Sequence, residues 1–187
     1  MSVTYTAQLI NHYEKVWRQR ANYRRLLRGV GHHLPREFKV LEFEPGGRRD
    51  VWTYATCGMS PATDRTRTEV HLFSPRESIE TVEILYEISH FHRHSHRLGP
   101  GHSINLGRGW MDRSRCSWGL VAKPFLDGPH LERFAIPESE KATLCLWLIP
   151  ITRRERDFKV EFGVDALTTV FKEKGVNFLD PKRSSAV

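Results

Sequence analysis

Five of the chain's ten histidines fall in the run HFHRHSHRLGPGH, from His90 to His102. On a helix, His90 and His94 share one face four residues apart, the spacing with which metalloprotease helices hold zinc. That chemistry also needs a glutamate directly after the first histidine to act as base, and Phe91 stands there instead. The helix is expected to end by His94, so the rigid frame is missing too. Glu87 is the nearest acid, and His71 or His102 would join only through the tertiary fold. Three readings are open: a metal site, a pH switch built from imidazoles that titrate near neutrality, and a solvated helix end whose imidazoles lie near the negative end of the helix dipole. The third requires nothing beyond the local sequence and is adopted, so no metal ligand and no cofactor is assigned.

Other chemistry is thinner. The chain has no G-x-S-x-G elbow, no Walker lysine loop and no dinucleotide fingerprint. The glycines of GPGH and GRGW lack the strand-to-helix context of a phosphate cradle and read as turns. Asp112, Asp127 and Glu132 could serve as acid and base, but nothing in their spacing selects them. Binding is better represented. The segment GRGWMDRSRCSWG sets Trp110 and Trp118 beside Arg108, Arg113 and Arg115, the residue types that dominate interface hot spots. Its tryptophans either contact a partner or anchor a long loop to the core. Pro124 removes a ladder donor and so predicts an edge strand or a strand end, and an open edge is where an extended peptide can add as a further strand. The candidate partner-binding residues are therefore Trp110, Arg113, Arg115 and Trp118, with Asp127 in the turn after the proline-bearing strand.

The elements that would hold these residues follow from periodicity. Apolar residues at helical spacing (Leu9, Tyr13, then Val16 or Trp17) predict a helix between Thr4 and Arg28, broken near Arg20. EFKVLEF and RDVWTYATCG form a strand pair around the EPGGRR turn, with TEVHLFS as a third strand. Ser74 as N-cap, Pro75 and Glu77 then predict a helix running into the histidines, with Ile79, Val82, Leu85 or Tyr86, Ser89 and His92 on its inner stripe. HSINLG, WGLVAKPFL and LERFAI read as short strands. TLCLWLIPI, apolar without alternation, is a strand buried on both faces and the expected sheet centre. Thr152 and Glu155 make a capping box for the next helix, and ALTTVFKEK is the last, closed by Gly175. The tail from Asn177 is expected to fray. This order predicts an α+β fold with a largely antiparallel curved sheet flanked by helices.

At 187 residues and 21.8 kDa the chain is expected to form one domain spanning 1–187. No stretch approaches the length of a membrane span, and the start lacks the basic and apolar regions of an export signal, so the expected location is the cytoplasm. Three separated cysteines fit neither a disulfide framework nor paired zinc ligands, and Cys57 and Cys145 are expected to pack in the core. The net charge of +7 raises nucleic acid as a partner, but the arginines are scattered and no nucleic-acid-binding motif gathers them.

VWTYATCGMS from Val51, SRCSWGLVAKPFLDGP from Ser114 and the stretch from Leu146 to the end resemble the bacterial suppressor-of-fused domain proteins over nearly the whole chain. The pattern W-x-Y-x-x-x-G-M-S and the strand followed by T-x-x-E-R-x-F carry the likeness. The resemblance implies a non-enzymatic, protein-binding domain. In animal members a second domain helps to clamp a strand-like peptide; this chain matches only the first. For bacterial members it implies an immunity protein that neutralises a polymorphic toxin by steric blocking. Because this chain is basic, such a toxin is expected to present an acidic face or to be something other than a nuclease. A His-based metal-dependent enzyme and a basic nucleic-acid-binding regulator are the alternatives.

Overall fold

The computed structural model describes residues 4–26, 29–46, 49–61, 63–135 and 141–187. Gly47 and Arg48 of the EPGGRR turn, Leu27 and Arg28, Ala62 and Ile136 lie outside the described residues, as do the first three residues of the chain. Helix α1 (Tyr5–Trp17) is capped by Thr4, whose hydroxyl accepts from the Ala7 N–H, and buries Leu9, Tyr13 and Trp17 at steps of four. It stops at Trp17, short of the predicted end, because Asn22–Arg24 pairs as an edge strand, β1, with β2 (Lys39–Phe43). Strands β3 (Trp52–Cys57) and β4 (Thr66–Ser74) continue the antiparallel meander.

Helix α2 (Ile79–His94) begins four residues later than Ser74 as cap would allow. Ser74 is still strand, paired with Trp52, and its hydroxyl turns onto the Arg76 backbone. Ser78 caps the helix instead, accepting from the Thr81 N–H at 3.1 Å. Val82, Leu85, Tyr86, Ser89 and His92 are buried as the stripe predicts, whereas Ile79 is exposed.

Strands β5 (Ser103–Asn105) and β6 (Trp118–Ala122) follow, then a single helical turn α3 (Pro129–Glu132), β7 (Arg133–Ala135) and β8 (Ala142–Ile151). LERFAI is thus split between a helical turn and a strand. The sheet runs β1-β2-β3-β4-β8-β6-β5, with β7 also pairing β8, and among the described residues only the β4–β8 pair is parallel. As expected, β8 is central: Leu146 and Leu148 are buried on one face, Cys145, Trp147, Ile149 and Ile151 on the other. Strand β6 is interior, between β8 and β5, so Pro124 marks a strand end and not an edge. Among the described residues the three-residue strands β1, β5 and β7 each pair on one side alone and leave an open edge.

Helix α2 and the loop carrying Trp110, Met111 and Cys116 cover one face of the sheet. The other face has two covers. Helix α1 packs over β2, β3 and the start of β8, while α5 (Val164–Glu173) and the tail pack over the other half. Between them lies a seam bridged by the turn from Lys123 to Gly128. Among the described residues no helix is long and apolar enough to cross a membrane.

The tail does not fray. Helix α4 (Arg153–Phe162) opens with the predicted capping box of Thr152 and Glu155. Glu155 is fully buried and receives Arg183 as a two-pronged ion pair, Nη1 at 2.6 Å and Nη2 at 2.8 Å, together with the Ala186 N–H at 2.8 Å. Burial pushes the Glu155 carboxyl up, but Arg183 and the N–H groups of Thr152 and Ala186 more than offset it and hold it below its usual range.

Candidate functional site

The structure separates the predicted contact residues. Trp110 is 0% exposed, packed in the core below α2, so it cannot touch a partner. It anchors its loop, whose backbone closes with the Trp110 N–H donating to Cys116 O at 3.0 Å. Arg113 and Arg115 are exposed on that loop, Arg113 in a left-handed turn at φ 59°. Trp118 is half-buried at the start of β6 with the Arg156 guanidinium stacked 4.2 Å above its ring. Asp127 lies beyond the other end of β6, roughly 17 Å along the strand direction. One hot-spot cluster combining all five residues therefore does not exist.

Asp127 is also not a surface contact. Its side chain is only 3% exposed. Oδ1 accepts from Trp17 Nε1 at 2.8 Å and from Arg49 Nη2, tying the turn to the end of α1 and to the strand β3 hairpin. Oδ2 stands 3.7 Å from Nε2 of the fully buried His71. That approach is not an ion pair. Burial, with the nearby Arg49 charge, lowers the His71 pKa to about 3, so the imidazole is neutral and Arg49 takes the Asp127 charge.

What Asp127 positions is the pair before it. Phe125 and Leu126 are 52% and 60% exposed, at the tip of a turn closed by the Asp127 and Gly128 N–H groups donating to Pro124 O at 2.9 Å. Phe125 lays its ring near Trp147 and Phe178, at centroid distances of 4.9 and 6.4 Å, and still leaves half of its surface open, as does Leu126 beside it. On one side a cleft of about 700 Å³ opens between Phe125 and α5, walled by Leu120, Ile149, Val164, Phe171 and Phe178. A second of about 480 Å³ shares Phe125, Phe171 and Phe178 and continues along Phe73, Leu126 and Val176. On the far side of the turn lies a basin of about 320 Å³ bounded by His12, Lys15, Val16, Arg18, Asp127 and His130. The sequence reading missed Phe125 and Leu126. Their signal was present in KPFLDGP: two bulky apolar residues inside a proline- and glycine-bounded turn, where polar residues are the rule.

The histidine run divides by depth. His92 is buried and locked: Nδ1 accepts the Leu98 N–H at 2.9 Å, so Nε2 carries the proton and donates to Ser60 Oγ at 2.9 Å. The His90 and His94 rings lie 4.5 Å apart between centroids and tilted at 37°, with His33 5.6 Å from His90. Among the described residues no three His, Cys, Asp or Glu side chains are grouped to hold a metal ion.

The W-x-Y-x-x-x-G-M-S run wraps a buried carboxylate. Glu69 accepts from the N–H groups of Gly58 and Met59, from Thr56 Oγ1 at 2.7 Å and from the Tyr5 hydroxyl at 3.2 Å. Ser60 accepts the Thr68 N–H at 2.7 Å besides holding His92. The motif therefore joins β3, β4, α1 and α2 at one end of the sheet.

Residues 35–184 match the family model described as suppressor of fused protein (SUFU). The chain belongs to the suppressor of fused family. A SUFU homologue from Neisseria gonorrhoeae FA 1090 has the same fold over 98% of this chain and 97% of its own, at 27% identity and a TM-score of 0.84. A chain of the Sufu–Fu complex matches over 95% of this SUFU chain and 90% of its own, with a TM-score of 0.70 and 12% identity. Drosophila Suppressor of Fused matches over 95% of this chain but 50% of its own, with a TM-score of 0.66 and 13% identity. No curated protein sequence matches this SUFU chain.

Proposed function

We propose that this SUFU domain is a non-enzymatic protein-binding module whose docking surface is the Lys123–Gly128 turn and the apolar clefts beside it. The observation that carries this is the display of Phe125 and Leu126 by a turn that a buried Asp127 fixes in place. An aromatic anchor at the centre of an apolar cleft is the usual core of a protein interface. The occurrence of a related fold in a Sufu–Fu complex supports a protein partner. An immunity role, in which the docked domain blocks the working surface of a toxin, is the finer form of this reading.

The test is capture of partners from nuclease-treated native lysate by the intact chain and by a Phe125→Ala, Leu126→Ala variant, followed by mass spectrometry. One stoichiometric protein lost in the variant supports the docking surface; equal capture by both removes it. If that protein arrests growth when expressed alone and not alongside this chain, the immunity reading holds.

A further inference from the structure

Resting on that docking surface, we infer that the partner segment joins a large apolar anchor to a carboxylate-rich flank: the anchor enters the cleft beside Phe125, and the carboxylates lie over the basin beside Lys15 and Arg18.

The two halves of the surface differ in chemistry although they share one turn. The clefts beside Phe125 are walled by aromatic and aliphatic side chains and suit a bulky apolar residue. The basin across the turn has two flexible cations at its rim, Lys15 and Arg18, both exposed and without an ion-pair partner among the described residues. They stand at the C-terminal end of α1, where Arg18 caps the helix in the left-handed conformation at φ 55°. The one carboxylate in the basin wall, Asp127, does not neutralise them, because Arg49 and the Trp17 N–H already take its charge. Lys172, likewise without an ion-pair partner among the described residues, extends positive charge along both clefts. Asp165 lines the first cleft and Asp50 the second, one carboxylate in each. His12 adds no charge near neutrality, since burial lowers its pKa while its ring contacts Leu131 O at 3.3 Å. The basin beside the turn is therefore positive, whereas the clefts are walled mainly by apolar side chains with charges of both signs among them, Lys123, Lys172 and Asp165 in one and Arg49, Lys172 and Asp50 in the other. Only a segment with the complementary order, apolar then acidic, satisfies both without leaving unpaired charge in the interface.

The test uses two labelled synthetic peptides, each with a Phe-Leu pair, one followed by glutamates and the other by lysines. Anisotropy is measured with the intact chain, with Phe125→Ala and with a Lys15→Glu, Arg18→Glu variant. All three substituted positions are exposed, and thermal unfolding verifies that the variants fold. The glutamate peptide is expected to bind, more weakly as salt rises, with the charge-reversal variant lowering affinity on the order of tenfold and Phe125→Ala removing it. Equal binding of both peptides, still dependent on Phe125, overturns the acidic flank and leaves the docking surface standing. Binding of the glutamate peptide that Phe125→Ala does not weaken overturns the docking surface as well. Failure of both peptides, or self-association of the chain that Phe125→Ala abolishes, also overturns the inference, the latter by making a second copy the occupant.

Discussion

Acidification from about pH 7 to about pH 5 should remove about 4 kcal/mol of folding stability through two histidines. His71 is fully buried and His92 is 2% exposed, and burial lowers their pKa values to about 3 and about 4. Both are depressed below the unfolded value near 6.5. As pH falls through that value, the unfolded chain takes up two protons that the folded chain refuses, and stability declines. The loss ends only when the folded imidazoles themselves titrate. At about pH 5 each site is roughly 1.5 pH units below the unfolded pKa, costing about 2 kcal/mol per histidine. That is a large share of the stability of an ordinary domain. Glu69 works the other way, since burial raises its carboxyl and acid relieves that cost, so the wild-type slope alone is not decisive. The assay is urea unfolding at both pH values for the wild type and for a His71→Phe, His92→Gln variant. Phenylalanine keeps the ring at 71, and glutamine can both accept from Leu98 and donate to Ser60. The wild type should lose about 4 kcal/mol more than the variant between the two pH values. Equal losses would show that neither imidazole is held neutral by its surroundings.

Three further outcomes follow from burial and partners. Trp110→Ala should cost about 3–5 kcal/mol by cavity formation and leave partner affinity of the folded fraction unchanged, read by calorimetry and by binding at low temperature. Arg113→Ala and Arg115→Ala should each change stability by less than about 0.5 kcal/mol, checked by chemical unfolding. Arg183→Met should cost about 3–5 kcal/mol by stranding the buried Glu155 charge and should raise hydrogen exchange at the Ala186 amide, whose acceptor is that carboxylate.

Much of the frame was readable because its signals are local. The Thr152–Glu155 capping box, the doubly buried β8 and the α2 stripe each depend on residues within one or two turns of each other. The errors are long-range. Ser74 looked like a cap but was claimed by the β3–β4 ladder, and Asn22–Arg24 left its helix to pair with β2. The tail looked loose until Arg183 met Glu155, 28 positions away. At the site, the sequence pointed to Asp127 but not to its role. A lone aspartate in a turn reads as exposed, and only the fold brings Trp17 and Arg49 around it. Trp110 failed for the complementary reason: the arginines around it are polar, but its own side chain is fully buried, as is that of Cys116 in the same loop.

The stretches that carry the family likeness divide accordingly between frame and surface. In VWTYATCGMS, Gly58, Met59 and Ser60 turn inward to Glu69, Thr68 and His92. In the segment from Leu146, Thr152 and Glu155 are spent on α4 and the tail. SRCSWGLVAKPFLDGP is mixed: Cys116, Leu120 and Val121 are buried, Asp127 and Pro124 shape the turn, and Phe125 and Leu126 project from it. The cations Lys15 and Arg18 belong to none of these stretches, and α1 precedes the residues matched by the family model. A shared frame can therefore present different rims. Exchanging Lys15 and Arg18 for glutamates should redirect binding from acidic to basic segments without loss of fold, because both side chains are exposed and neither supports α1 packing. Unchanged discrimination between the glutamate and lysine peptides after that exchange would place partner choice elsewhere on the domain.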